Sequence, residues 1–138
     1  MPRLARIFPV CLLAIGCGGD LPASIDALPP DAPARETIME GLLLEPGETT
    51  EGIMTGGAGD LASIHLTAPV AELDWNIHGH AGGGTQIISE ALNQLSMDYV
   101  FSPTKQADWY LLIRNSGPTD MTVQLKVELY GGMQWRWQ

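Results

Sequence analysis

His78 and His80 stand one residue apart in the stretch DWNIHGHAGGGTQ, which runs from Asp74 to Gln86. Leu73, Trp75 and Ile77 alternate there with polar residues, the period of a strand with one apolar face. That period puts Glu72, Asp74, Asn76, His78 and His80 together on the opposite face. Side chains two residues apart on one face are close enough for both imidazoles to hold one ion. Asp74 would serve as a further ligand, or would accept a hydrogen bond from an imidazole N–H. His65, in SIHLT, falls on the polar side of its own strand with Ser63 and Thr67. If that strand pairs with the His78 strand, all three histidines converge, and imidazole with carboxylate suits zinc or copper(II). The plainer alternative is a solvated strand face running into a flexible glycine turn.

Other chemistry is thinner. MQWRWQ puts Trp135 and Trp137 on one face, with Gln134 and Arg136 on the other. Exposed, the two rings would form a binding surface for a glycan or a protein. Turned inward, they would close the core with the last strand. GHAGGGTQ lacks the lysine and the helix of a phosphate loop. Neither GxSxG nor HExxH occurs, and Ser63 and His65 merely share a strand face. No residue is singled out as catalytic, so the chain reads as a binding protein and not as an enzyme.

The start of the chain says where such a protein works. MPRLARIFPVCLLAIGC carries Arg3 and Arg6, an apolar run from Ile7 to Ile15, and then Gly16-Cys17. Charged start, short apolar run and small residue are the parts of a secretory signal peptide, here residues 1–16. The run is about half the ~20 residues a membrane-spanning helix needs. LLAIGC resembles the bacterial lipobox, in which cleavage leaves a lipid-modified cysteine as the first mature residue. Ala14 stands where that family prefers Leu, with Leu13 one place further back. The resemblance implies acylation of Cys17 by palmitate-type chains and residence in a bacterial cell envelope. Gly18, in place of the Asp that retains such proteins at the inner membrane, implies the outer membrane.

Cys11 would leave with the signal peptide and Cys17 would carry lipid. The mature chain then has no thiol for catalysis, disulfide formation or zinc. Seven basic residues against 16 acidic ones, a net charge of −9, give no basic stripe for nucleic acid. The membrane contact is through lipid, and the remaining partners are an envelope protein or a glycan.

Residues 17–35 contain GGDLPASIDALPPDAPAR, rich in Pro, Ala and Asp and free of aromatic residues. Too little apolar surface can be buried there to offset ordering entropy, which predicts a disordered tether. Extended, it would reach on the order of 50 Å.

From residue 36 to 138 the period becomes two. MTVQLKVELY alternates Met121, Val123, Leu125, Val127 and Leu129 with polar residues, and ADWYLLIRN buries Trp109, Leu111 and Ile113. NSGPTD between them reads as the turn of an antiparallel hairpin. Further strands are expected at 37–44, 50–54, 61–68, 70–79, 85–89, 97–102 and 133–137. Ile87–Leu95 is either a turn of helix or a strand with its loop. Seven to nine short strands separated by Gly and Pro predict an all-β chain, an antiparallel β-sandwich of jelly-roll or GOLD-like type.

The order LLLEPGE, LDWNI, YVFSP, ADWYLLIRNSG, MTVQLKVELYG resembles the GOLD (emp24-type) and pre-peptidase C-terminal sandwiches. Trp75, Trp109-Tyr110 and Asn115 match their central strands, while Ala107-Asp108 stands where those families often carry Gly. The resemblance implies a binding or accessory module.

Overall fold

A computed structural model describes residues 24–27 and 30–138. The expected signal peptide, the expected lipidation site Cys17, and residues 18–23 and 28–29 of the expected tether lie outside the described residues. Ten strands occur among them: β1 (Ser24–Asp26), β2 (Glu36–Leu44), β3 (Thr49–Gly56), β4 (Leu61–Thr67), β5 (Leu73–Ala81), β6 (Gly84–Gln94), β7 (Ser96–Pro103), β8 (Ala107–Asn115), β9 (Met121–Tyr130) and β10 (Gln134–Trp137). They form two five-stranded sheets, ordered β1-β7-β4-β9-β2 and β10-β3-β8-β5-β6. We call these the first and second sheet. All strand pairs are antiparallel. The chain is an antiparallel β-sandwich, and no helix occurs among the described residues.

Alternation builds each layer. In β9 every second residue from Met121 to Leu129 is buried and the intervening ones are exposed or half-buried. Trp109, Leu111 and Ile113 of β8 meet Ile64, Leu66 and Val127 of the facing sheet in one core. Trp109 and Phe101 lie at its centre, with ring centroids 5.5 Å apart and nearly edge-to-face.

From β2 onward every connection crosses to the opposite sheet except β5–β6. That exception is a tight hairpin, with Ala81 opposite Gly84 and Gly82 and Gly83 both at positive φ. Two adjacent residues in that region form the turn whose twist matches a hairpin, and glycine adopts it without steric cost. The constant switching of sheets is jelly-roll wiring.

This wiring corrects one expectation. β8 and β9 are not a hairpin: β8 pairs with β3 and β5, while β9 pairs with β2 and β4. The segment between them is a corner from one sheet to the other, built on Asn115, which is fully buried. Its side-chain nitrogen donates to the carbonyls of Leu44 (3.0 Å) and Thr119 (2.7 Å), and its oxygen accepts from the Gly117 N–H (2.9 Å).

A second correction concerns the tether. Ser24–Asp26, expected to be disordered, pairs with Phe101–Pro103 at the edge of the first sheet. The Asp26 carboxylate accepts from the Val100 N–H. Pro22 and Pro29 bracket the segment, and three residues with a charge make a blunted edge strand. Arg35 also belongs to the fold, donating to the carbonyls of Gly131 and Met133. Of Ile87–Leu95, all but Leu95 resolves as strand, because β6 follows β5 along its length through two register shifts, and Leu95 is the bend before β7.

Candidate functional site

The outer face of the second sheet carries the histidine pair. β5 places Leu73, Trp75 and Ile77 in the core, which turns Asp74, Asn76, His78 and His80 outward. In register, Tyr110 of β8 lies beside His78, and Ile53 of β3 lies beside Tyr110. His78 stacks on Tyr110 with ring centroids 5.2 Å apart and planes 13° apart. His80 meets both rings edge-on, at 5.3 Å from His78 and 4.7 Å from Tyr110. The stack shields His78, which is only 5% exposed although it faces away from the core.

Asn76 fixes the His78 tautomer. Its side-chain oxygen lies 2.7 Å from Nδ1, and an amide oxygen only accepts, so Nδ1 carries the proton. Nε2 of the neutral ring is then a bare lone pair, 3.8 Å from the Glu51 carboxylate. Burial holds the imidazole pKa below its ordinary 6.5; the Glu51 charge opposes this and His80 adds to it.

A folded-state pKa below the unfolded one means that the unfolded chain binds the proton more readily. The contribution of His78 to stability is complete above pH 6.5 and is lost as pH falls through the lower folded value. Urea unfolding at stepped pH should show stability falling over that window, and His78→Gln should remove that component of the slope.

Asp74 serves other partners. Its Oδ1 accepts from the Asn93 N–H (2.8 Å) and the Ser116 hydroxyl (3.1 Å), tying β6 to the β8–β9 corner. Beside it an open groove of about 220 Å³ is lined by Asp74, Asn76, Glu90, Leu92, Leu112 and Arg114. At the other end of this face the Asp108 carboxylate accepts from the Thr55 hydroxyl (2.5 Å) and the Arg136 guanidinium (3.0 Å). These bonds, Thr55 first, hold its pKa below the ordinary carboxylate range.

His65 does not join the pair. β4 pairs with β7 and β9 in the first sheet, so the three histidines do not converge. Among the described residues no group of three or more His, Cys, Asp and Glu is arranged to hold a metal ion. His65 instead contacts Ser63, Asp98 and Glu128.

Trp135 and Trp137 are half-buried and pack against the core. A Cβ on Gly52 would come within 1.9 Å of the Trp135 ring, so that ring lies flat against the strand backbone. The Trp137 N–H donates to the Glu40 carboxylate at 3.1 Å, linking β10 to β2 across the open side of the sandwich. The rings meet at 5.3 Å and 79°.

No family model matches this chain, and no curated protein sequence does. Among solved structures the sandwich is similar to the Yersinia pseudotuberculosis-derived mitogen, with a TM-score of 0.50 and 15% identity. The match covers 69% of this chain and 86% of the mitogen. At that identity the likeness is one of fold.

Sequence reasoning missed Glu51, Tyr110, Asp98 and Glu128. Each stands on a strand remote in sequence from the histidine it serves, and only the register brings them together. Alternation within a single strand gives no partner across the sheet.

Proposed function

We propose that this chain is a lipid-anchored protein of a bacterial cell envelope, acylated at Cys17, whose sandwich is a binding module. The observation that carries the binding reading is the outer face of the second sheet. Carboxylates, an amide and a guanidinium from Asp74, Asn76, Glu90 and Arg114 line an open groove there, and the His78–Tyr110 stack flanks it. Such groups meet the hydroxyls of an extended glycan, and an open groove admits a chain rather than a small enclosed ligand. The lipobox-like start and the Pro-rich segment would hold this face at the membrane surface.

Glu90 and Arg114 are both exposed, so replacing them should alter stability by no more than about 0.5 kcal/mol. In affinity electrophoresis against envelope polysaccharide, Glu90→Ala/Arg114→Ala should lose the retardation that the parent protein shows. Equal retardation of both would remove the groove from the reading.

A second reading, zinc or copper(II) binding, is favoured by one feature. The His78 Nδ1–H is committed to Asn76, which leaves Nε2 facing Glu51, and ligating histidines are oriented in this way. Its residues would be His78 and His80, without His65 or Asp74, because no third His, Cys, Asp or Glu among the described residues is arranged with them. Calorimetric titration should give tight, stoichiometric binding that His78→Ala/His80→Ala abolishes. Weak uptake, equal in both proteins, would discard the metal reading.

A further inference from the structure

The outer face of the first sheet carries a different constellation. Ser63 and His65 stand two apart on β4, Asp98 of β7 lies opposite His65, and β9 places Glu128 opposite Ser63 and Lys126 opposite His65. The Ser63 hydroxyl is 3.1 Å from His65 Nε2. On the other side of the ring, Nδ1 is 2.5 Å from an Asp98 carboxylate oxygen.

Proton bookkeeping fixes the roles. A carboxylate only accepts, so the proton of the neutral ring sits on Nδ1 and is donated to Asp98. Nε2 is then the acceptor, and the Ser63 hydroxyl donates to it. A hydroxyl within reach of a base that a third group orients is the arrangement of an activated nucleophile. Ser63 is 5% exposed, so its hydroxyl is confined against the imidazole. The His65 side chain is 37% exposed and open to substrate.

A groove of about 340 Å³ begins at His65 and runs past Lys126 and Thr67 to Met39 and Gly41. Met39 is 73% exposed, and Gly41 leaves the groove floor without a side chain. Met39 is the exposed apolar side chain of this groove, and Glu40, Gln124 and Lys126 are among its polar lining, a mixture that suits a short acyl chain ending in a polar head.

We propose that Ser63, His65 and Asp98 form a hydrolytic site for carboxylic esters of acyl chains. Ser63 Oγ attacks the acyl carbon and its proton passes to His65 Nε2. The imidazolium is stabilised by Asp98 and by Glu128, whose carboxylate lies 3.5 Å from Nε2. The ester C–O bond then breaks, and the departing oxygen takes the proton from Nε2 and leaves as an alcohol. Water attacks the acyl-serine while His65 accepts its proton; the carboxylic acid departs and Ser63 regains its hydrogen. Lys126, opposite His65 on β9 and paired with Glu128 at 2.9 Å, would stabilise the developing oxyanion. Asp98 acts through the ring as a positioning residue.

The site lies on the sheet opposite the proposed binding face, and its test is independent of that face. Full chain in detergent is treated with a fluorophosphonate and mapped by peptide mass, and p-nitrophenyl butyrate hydrolysis is followed in parallel. The adduct is expected on Ser63. His65→Gln should abolish labelling and lower hydrolysis by about a hundredfold. Asp98→Asn should cause a smaller loss, since that side chain is mostly exposed, and Asp98→Glu should recover part of it. Ser63→Ala tests the nucleophile, and His65→Gln, at an exposed position, keeps the test valid if that variant misfolds. Absence of an adduct, adducts spread over many serines, or a rate unchanged in His65→Gln would each overturn the proposal.

Discussion

Replacing Asn115 with alanine is expected to destabilise the sandwich by about 3–5 kcal/mol, because buried polar groups lose their partners at about 1–3 kcal/mol each. The Asn115 side chain satisfies the carbonyls of Leu44 and Thr119 and the N–H of Gly117. Its backbone adds two bonds, from the Gly47 N–H to its carbonyl and from its own N–H to the Glu48 carbonyl. One residue therefore joins the β2–β3 turn to the β8–β9 corner. A methyl group in its place keeps the backbone bonds and abandons three polar groups where side chain and chain crossing meet. Urea unfolding followed by tryptophan fluorescence should show a large drop in midpoint with little change in slope. A shift under 1 kcal/mol would mean that water satisfies the corner and that Asn115 is not its organiser.

Trp109→Ala should cost a comparable amount, about 3–5 kcal/mol, from lost burial and the cavity left behind. Trp109 is 1% exposed and lies in the middle strand of its sheet, against Phe101 of the facing one. The layers cannot close on the void without breaking the registry of β8 with β3 and β5. Trp137→Ala offers the contrast. Its ring is only half-buried at the short edge strand β10, so its loss should cost clearly less. Thermal unfolding of the two variants side by side checks the ranking, and equal costs would contradict the placement of the core.

Much of the fold was legible because alternation survives in each strand taken alone. Met121–Leu129 and Trp109–Ile113 announced their buried faces, and the predicted strands match β2 to β10 with ends shifted by a few residues. Pairing was another matter. NSGPTD signalled a reversal of direction, and the same residues serve a hairpin or a corner between sheets; the choice lies in what Asn115 bonds to. In a jelly roll nearly every connection changes sheet, so neighbours in sequence are seldom neighbours in a ladder.

The candidate sites show the same limit. That His78 and His80 share a face followed from their spacing. That Tyr110 and Glu51 complete the cluster follows from register alone, as does the distance of His65 from it. Ser63 and His65 were visible as a pair on one face, while Asp98, 33 residues from His65, enters through the pairing of β4 with β7. Ser24–Asp26 was hidden by its composition, since a three-residue strand inside a Pro- and Ala-rich stretch carries no detectable period.

The central claim is that a binding sandwich is held at a membrane by an acylated Cys17, and the most direct test is the fate of that cysteine in cells. Full-length chain and Cys17→Ser would be expressed with radiolabelled palmitate, with and without globomycin, and fractionated into membrane and soluble pools. The account predicts label, membrane partitioning and globomycin-sensitive processing in the parent chain, and loss of all three in Cys17→Ser. An unlabelled parent chain recovered in the soluble pool, processed alike in both proteins, would contradict it.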